Sequence, residues 1–343
     1  MRRARRNWLA IVVLESLFLL VLSYTAAKAA PDGLFAFGAK TLGGRFVWSD
    51  EVVFHDWRVQ KHAVIGHYRL IDPDDRRYAR GTLEHCLAKL EEVKAEKHLG
   101  PMPKEVVIVL HGLGASRQWM RQLANYLTEE GHLAVVNVGY PSTMGDIGAH
   151  AQSLASVVRH LDGTERVSFV AHSMGNIVVR YYLNDLKSLP KSQRPKITFQ
   201  RFVMIAPPNH GATLADSWAD NKLIQIAAGE PLQQLAPGKG WQTLAQRLAT
   251  PDFEFGILAG GRGDGDGYLT AIPGDDDMLL AVATTKLAGA SDFALVKGVH
   301  QTLPKNEQIQ QYTLRFLQKG YFVSQRARHP IPAAKRPAAG RPR

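Results

Sequence analysis

The sequence predicts an α/β protein built on a mainly parallel, doubly wound sheet with antiparallel N-terminal edge strands. Short runs that are apolar on both faces alternate with stretches of helical periodicity, which is the order expected of right-handed βαβ units. A chain of 343 residues with 45% hydrophobic content can bury the large core that such a sheet requires. The runs expected to form core strands are residues 106–110, 134–138, 167–171, 202–206, 255–261 and 293–296.

Basic residues are concentrated at the two ends of the chain. The formal net charge is +11, but Arg2, Arg3, Arg5 and Arg6 supply four of these charges and residues 326–343 supply six more. Residues 7–325 therefore carry a formal charge of only about +1. The body has no basic stripe and no RNA-binding signature, which argues against specific nucleic-acid binding.

Residues 1–30 are predicted to be a signal anchor or a signal peptide. The apolar run at 8–24 is slightly short for a membrane span of about 20 residues and long for a signal core of about 7 to 15. Two alternatives stay open: an uncleaved anchor with cytoplasmic arginines, or a peptide cleaved at 27–29. Both predict that the rest of the chain is exported, membrane-held in the first case and secreted in the second. Cys86 is the only cysteine, so no intramolecular disulfide can form, and this does not decide the compartment.

Residues 31–103 are expected to add strands and a helix to the core. Residues 45–70 alternate apolar and polar side chains, as in one or two antiparallel edge strands, and a turn is predicted at 72–75. A helix is predicted over 82–97, with Thr82 as its cap.

Ser173 follows an apolar run and precedes a helical pattern, so we expect it on a sharp turn from strand to helix. A serine acts as a nucleophile only with a base and with donors for the oxyanion, and such a turn points the first helical amides, including that of Met174, toward it. Ala171 and Gly175 are small enough for strand and helix to cross closely. With His172 beside the serine, the pattern resembles the G-x-S-x-G elbow of the α/β-hydrolase family, although alanine replaces the first glycine. Alone, it is equally compatible with a helix cap.

A glycine-rich turn, His111-Gly112-Leu113-Gly114, follows the first core strand. Such a turn at the carboxyl edge of a parallel sheet can aim a backbone N–H, here that of Leu113, at the reacting serine. The stretch resembles the H-G-x-G oxyanion turn of bacterial lipases in the same family. We interpret His111 as bracing this loop rather than transferring protons.

A carboxylate and a histidine lie later in the chain. Residues 277–285 resemble the family's segment that begins with the acid of the triad, which places the acid at Asp277. Met278 stands where the family has glycine, so Asp275 and Asp276 remain alternatives. His300 follows the last predicted strand and precedes a helix predicted over 307–317, as the family's base does. Serine, acid and histidine thus come in the order expected of this fold.

The combined resemblance covers residues 104–320 and implies a serine hydrolase of the bacterial lipase and esterase type. It implies that His300 deprotonates Ser173, that Asp277 orients His300, and that the amides of Leu113 and Met174 hold the oxyanion. An ester or lipid substrate is implied, with no metal and no organic cofactor. Acyltransferase, thioesterase or amidase chemistry could use the same groups. A catalytically silent, membrane-tethered binding module is the alternative from another class.

Three further segments carry predictions. Residues 207–211 resemble a proline-histidine-glycine turn of lipases, in which we interpret His210 as structural. Residues 212–250 depart from the strand-helix rhythm and are predicted to form a helical cap or lid, with additional helical core as the alternative. Residues 321–343 are basic and rich in proline and alanine, so a disordered tail is predicted.

The aspartates of residues 262–267 and 275–277 could hold a calcium ion. They lack EF-hand spacing with its closing glutamate, and Gly-Asp runs are ordinary turn material.

Overall fold

The computed structural model describes residues 46–212 and 222–333. The predicted signal anchor or signal peptide therefore lies outside the described residues, as do residues 213–221 of the predicted cap and residues 334–343 of the predicted tail. Within the described ranges, no helix has both the length and the hydropathy needed to cross a bilayer.

The centre of the molecule is a six-stranded sheet in which every pair of neighbouring strands is parallel. The strands are β5 (Glu105–Leu110), β6 (Val135–Val138), β7 (Arg166–His172), β8 (Thr198–Ile205), β9 (Glu254–Gly261) and β10 (Asp292–Lys297). Their order in the sheet is β10-β9-β8-β7-β5-β6, so the chain crosses over between strands, as the sequence predicts.

Both faces of β5 are buried, which explains why its sequence does not alternate. Ile108 packs into the cluster on one side of the sheet, and Val109 packs into the cluster on the other side. Successive side chains of a strand point to opposite faces, so a strand that is covered twice needs apolar residues at every position.

Helices cover both sides of this sheet. Leu154 and Ile177 belong to the cluster on one side, whereas Leu123 and Phe316 belong to the cluster on the other. The predicted doubly wound arrangement is therefore confirmed. The helices are α1 (Leu83–Glu96), α2 (Arg121–Glu129), α3 (Ile147–Arg159), α4 (Met174–Ser188), α5 (Lys222–Leu235), α6 (Lys239–Ala245), α7 (Val282–Thr285) and α8 (Glu307–Lys319).

The antiparallel strands predicted before the core are present, but they number four and form a sheet of their own. They are β1 (Trp48–Phe54), β2 (Trp57–His62), β3 (Tyr68–Ile71) and β4 (Arg77–Gly81). The main-chain bond from Asp50 N to Gly139 O, 2.9 Å long, joins β1 to the residue that follows β6. Val52 and Val53 are buried, so β1 is fixed by packing rather than by continuing the central sheet. Thr82 caps α1 as predicted, because its hydroxyl accepts from His85 N.

The described part of the predicted cap packs on the core. Leu232, Leu235 and Leu244 are buried in the main hydrophobic cluster. α5 is kinked at Gly229, where φ is +70° and a Cβ would lie 2.1 Å from the carbonyl oxygen of Thr143. Only glycine allows this approach of two backbone segments.

The prediction that disorder begins at residue 321 is wrong for residues 321–333. Phe322 is buried and its ring stacks on that of Phe316, while Arg328 pairs with Glu254. The Asp292 carboxylate accepts hydrogen bonds from the Phe322 and His329 amides. The charge and proline content of this segment do not reveal its specific contacts with the rest of the chain.

Candidate active site

Ser173 occupies the turn between β7 and α4, where φ is +53° and ψ is −126°. A residue other than glycine adopts this region only under constraint from its surroundings. Ser173 N donates to Ile205 O at 2.9 Å, and the Asn176 side-chain amide donates to Ser173 O at 2.9 Å. These bonds hold the strained turn so that the serine side chain lies at the carboxyl edge of the sheet.

The structure brings His300 and Asp277 to this serine. His300 Nε2 lies 2.8 Å from Ser173 Oγ, and His300 Nδ1 lies 2.7 Å from Asp277 Oδ2. His300 N also donates to Asp277 O at 2.8 Å, which fixes the two backbones together. Both side chains of this pair are buried, so water does not compete for their contact.

The neighbouring aspartates have other partners. Asp276 accepts from the amides of Met278 and Leu269, at 2.7 and 3.0 Å. Asp275 accepts from Arg262 N at 2.7 Å and from Gly263 N at 2.8 Å. Both carboxylates thus stabilise turns and do not contact His300.

Asp277 is oriented by the turn that follows it. Its Oδ1 accepts from Leu279 N at 3.0 Å and from Leu280 N at 2.7 Å, which leaves Oδ2 for His300. Met278 has φ +76°, a conformation that glycine adopts readily. The turn therefore holds Met278 in a backbone conformation that favours glycine.

Two glycines allow the turn after β5 to contact the elbow. A Cβ on Gly112 would lie 2.8 Å from the Ser173 Cβ, and a Cβ on Gly175 would lie 2.6 Å from the His111 carbonyl oxygen. Gly114 has φ +70°, as a tight turn requires. The turn that contains Leu113 therefore lies directly against the serine. Its amide and that of Met174 remain the predicted oxyanion donors.

Met174 is the first residue of α4, so its N–H belongs to the first four amides of the helix. These amides have no acceptor within the helix, and the Ser173 side chain makes no capping bond to them. The amide of Met174 is thus placed to bind an anion that forms beside Ser173.

The order of the three residues decides the fold. Ser173 follows β7, Asp277 lies in the loop between β9 and β10, and His300 follows β10. A serine on a strained strand-to-helix turn, followed along the chain by a carboxylate and a histidine, is the arrangement of one fold. The chain has an α/β-hydrolase fold. The resemblance in the sequence is confirmed at this level.

A known family matches part of the α/β-hydrolase domain. Residues 101–225 match the sequence model of a family described as "Putative serine esterase (DUF676)". This is a little over a third of the chain, and it includes the elbow and the turn after β5 but neither Asp277 nor His300. The match supports a hydrolase that acts on esters. No curated protein matches the chain.

Several solved structures resemble the chain at low identity. The product of the Listeria innocua gene lin2722 is 17% identical, with a TM-score of 0.47, over 68% of this chain and 99% of that one. The hydrolase olei00960 from Oleispira antarctica is 14% identical, with a TM-score of 0.44, over 64% and 93%. Phospholipase PlaB from Legionella pneumophila is 20% identical, with a TM-score of 0.39, over 53% and 44%. The strand order and the site of this chain, rather than these likenesses, define its fold.

His111 lies behind the oxyanion turn and is fully buried. Its Nδ1 lies 2.9 Å from Gly112 O, and Tyr140 N lies 3.5 Å from its Nε2. Burial lowers the pKa of His111 to about 4. A neutral ring with the proton on Nδ1 satisfies both contacts, so the geometry fits the predicted bracing of the loop.

His172 fixes the other side of His300. Its Nε2–H donates to the His300 carbonyl oxygen at 3.1 Å, and the two ring centroids are 4.8 Å apart. Burial, and then the nearby charge of His300, holds the pKa of His172 well below its ordinary value. A neutral His172 is therefore suited to hold the backbone of His300 without adding charge beside it.

His210 does not contact Ser173. Its Nε2 lies 3.0 Å from Lys286 O, and the side chain is exposed. The preceding residue, Asn209, is buried and bonds to Arg180 Nη1 and to Thr285 O. The turn after β8 is thus fixed by Asn209, which sequence reasoning overlooked.

Tyr140 is a second residue near the site that sequence reasoning overlooked. Its hydroxyl donates to His111 O, and its ring stacks on that of His111. The sequence contains an indication of its position, because Tyr140 follows a core strand at the carboxyl edge where ligands of parallel sheets bind.

The N-terminal sheet supports this part of the site through a buried ion pair. Asp50 Oδ2 lies 2.5 Å from Arg58 Nη1 and accepts from Gly139 N at 2.8 Å. The pair thus holds the backbone immediately before Tyr140. No local sequence pattern indicates this contact.

The aspartates considered for calcium form turns. Asp264 Oδ1 accepts from Asp266 N and Gly267 N, at 3.1 and 3.2 Å. In the part of the chain that the structure describes, no group of three or more His, Cys, Asp or Glu side chains is arranged to hold a metal ion.

Proposed function

We propose that the protein hydrolyses carboxylic esters through an acyl-enzyme on Ser173. The observation that carries the proposal is the hydrogen-bonded chain from Ser173 Oγ to His300 Nε2 and from His300 Nδ1 to Asp277 Oδ2, with distances of 2.8 and 2.7 Å. Serine, imidazole and carboxylate in this order form the arrangement that activates a serine hydroxyl.

In the first half-reaction, His300 Nε2 takes the proton of Ser173 as Oγ attacks the ester carbonyl carbon. The electron pair of the carbonyl moves to oxygen, and the amides of Leu113 and Met174 receive the negative charge. Collapse of this intermediate breaks the ester bond, and His300 gives its proton to the departing alcohol. Asp277 holds Nδ1–H and stabilises the charged imidazole between these steps.

In the second half-reaction, water attacks the acyl-enzyme. His300 takes a proton from the water, and the second tetrahedral intermediate collapses to release the acid and Ser173. Every step uses water and groups of this chain. Thioesters, amides or acceptors other than water would use the same steps, and product analysis with an added alcohol distinguishes transfer from hydrolysis.

The test compares Ser173, which precedes α4, with Ser188, the last residue of that helix. Ser173→Ala is expected to lower hydrolysis of short and long p-nitrophenyl esters by roughly 10³-fold or more. The control is Ser188→Ala, an exposed position at the far end of α4, for which full activity is expected. A fluorophosphonate probe should label the native protein and the control but not Ser173→Ala. Unchanged hydrolysis by Ser173→Ala would overturn the proposal, and absence of labelling of the native protein would favour a silent binding module.

We also propose that residues 1–30 export the catalytic domain across the membrane. The support is the run of arginines followed by the apolar residues 8–24. N-terminal sequencing of the protein from cells distinguishes a retained anchor from cleavage at 27–29, and cleavage of the domain by protease added outside the inner membrane tests export. Protection of the domain from that protease would contradict it.

A further inference from the structure

The loop between β2 and β3, residues 63–67, presents two aliphatic side chains to solvent. Val64 is 68% exposed and Ile65 is 58% exposed, the highest values among the large hydrophobic residues of the described ranges. We define these two residues as the hairpin tip. Polar residues and glycine are usual in hairpin turns, and the turn geometry does not require aliphatic residues. Their exposure alone needs no partner, so the surroundings of the tip decide what it contacts.

The start of β1 extends this apolar surface. Val47 O accepts from Ala63 N at 2.9 Å, and Trp48 pairs with His62 across the ladder. Phe46 and Val47 are only half-buried. Residues 1–45, which include the apolar run at 8–24, thus join the described chain beside the hairpin tip.

The charges at this end of the N-terminal sheet are mainly basic. Lys61 and Arg80 are exposed there on opposite faces of the sheet, and the exposed acidic residue Glu84 lines the same surface pocket as Ile65. Trp48 pairs with His62 in the ladder, and the Arg69 guanidinium lies 4.0 Å from its ring centroid. Aliphatic side chains surrounded by aromatic and basic residues match the boundary between lipid headgroups and acyl chains.

The hairpin tip is close to the edge of the molecule that carries the site. Asp50 bonds to Gly139, which follows β6 at the carboxyl edge where Ser173 also lies. Trp48 is two residues before Asp50 and pairs beside the hairpin tip. A surface that binds the tip would therefore lie near the edge at which a substrate enters.

We propose that the hairpin tip inserts into the surface of a lipid bilayer, with Lys61 and Arg80 contacting anionic headgroups. A fluid bilayer accepts two neighbouring aliphatic side chains without a shaped pocket. The described chain also begins beside the tip, at residue 46. Insertion of the tip does not require the chemistry of Ser173.

The test places an environment-sensitive fluorophore, NBD, on the full chain in phospholipid nanodiscs. Ile65→Cys reports on the hairpin tip, and Leu189→Cys is the matched control, because Leu189 is 38% exposed and follows the end of α4 that points away from the carboxyl edge. Cys86 does not compete for the label, since burial raises the pKa of its thiol to about 11. We expect lipids with a spin label on the acyl chain to quench the fluorophore at 65 at least about twofold more than that at 189.

Charge dependence provides the second measurement. In nanodiscs that contain phosphatidylglycerol, Lys61→Glu with Arg80→Glu should reduce the quenching at 65, because each basic residue near an anionic surface strengthens binding roughly fivefold. The urea concentration at the midpoint of unfolding should be unchanged, which shows that the variant is folded. Equal quenching at 65 and 189, or failure of the chain to associate with nanodiscs, would overturn the proposal. If Lys61→Glu with Arg80→Glu leaves the quenching at 65 unchanged, the proposed contact of these two residues with anionic headgroups is wrong.

Discussion

The hydroxyl of Tyr140 donates a hydrogen bond to the backbone carbonyl of His111, and the two rings stack with centroids 4.2 Å apart. His111 precedes Gly112, whose Cα faces the Ser173 side chain. Tyr140 therefore links the end of β6 to the turn that is proposed to stabilise the oxyanion.

Removing this bond should affect catalysis more than binding. Tyr140→Phe keeps the stacked ring but leaves the His111 carbonyl without its donor, so the position of the Leu113 amide becomes less fixed. We expect kcat for p-nitrophenyl esters to fall roughly ten- to hundredfold, with KM changed less than about threefold. The free energy of unfolding should fall by about 1 to 3 kcal/mol.

The control is another buried tyrosine. Tyr182→Phe changes a side chain packed between Phe169 and Phe199, where no contact with the turn exists. Its kcat should remain within about twofold of the native value. A Tyr140→Phe protein with native kcat would show that the bond does not position the turn.

Three consecutive aspartates allow a test of the triad acid. Asp277→Asn retains the shape of the side chain but cannot stabilise the charged His300, so we expect kcat to fall roughly 10³- to 10⁴-fold. Asp275→Asn and Asp276→Asn weaken turns and should mainly lower stability, by about 1 to 2 kcal/mol each, with kcat within about tenfold. Steady-state kinetics and urea unfolding separate the two effects. Loss of catalysis in Asp276→Asn with Asp277→Asn active would reassign the acid.

Gly112 is expected to accept no side chain. A Cβ at this position would lie 2.8 Å from the Ser173 Cβ, so Gly112→Ala must displace the serine or the turn. We expect hydrolysis to fall by roughly 100-fold or more, because displacement of reacting groups by about 1 Å has this effect. Gly100→Ala is the matched control, since no atom lies within 4 Å of its added Cβ. A fully active Gly112→Ala protein would contradict this contact.

The sequence predicts the residues of the site that follow recognisable core strands. Ser173 and His300 each lie within a few residues of the end of a short apolar run, and the ends of parallel strands meet at one edge. The sequence leaves Asp275 and Asp276 as alternatives to Asp277. The turn that orients Asp277 passes through Met278 at a positive φ, which a methionine does not predict.

The supporting contacts could not be predicted from local patterns. Asp50 and Gly139 are 89 residues apart, and their bond depends on how the N-terminal sheet docks beside β6. The sequence likewise predicts Phe322 in a basic tail, because its burial against Phe316 is visible only in three dimensions. Such contacts come from packing between elements, whereas hydrophobic periodicity reports only on single elements.

His150 gives a prediction about the pH dependence of stability. It is buried on α3 beside the Tyr140 ring, and its Nε2 has no hydrogen-bond partner among the described residues. Burial, and then the nearby charge of His111, lowers the pKa of His150 to about 4. In the unfolded chain a histidine has a pKa of about 6.5. As pH falls from about 6.5 to about 4, the unfolded state therefore binds this proton first and stability is lost.

His150→Phe should remove this contribution. The phenyl ring occupies similar space and leaves no nitrogen unpaired, so stability at pH 7 should be equal to or above the native value. Between pH 6 and pH 5, the free energy of unfolding should fall less steeply than in the native protein. The two slopes should differ by about 1.4 kcal/mol per pH unit. Urea unfolding followed by tryptophan fluorescence at several pH values measures both slopes. Parallel slopes for the two proteins would mean that His150 takes up its proton equally in the folded and unfolded states.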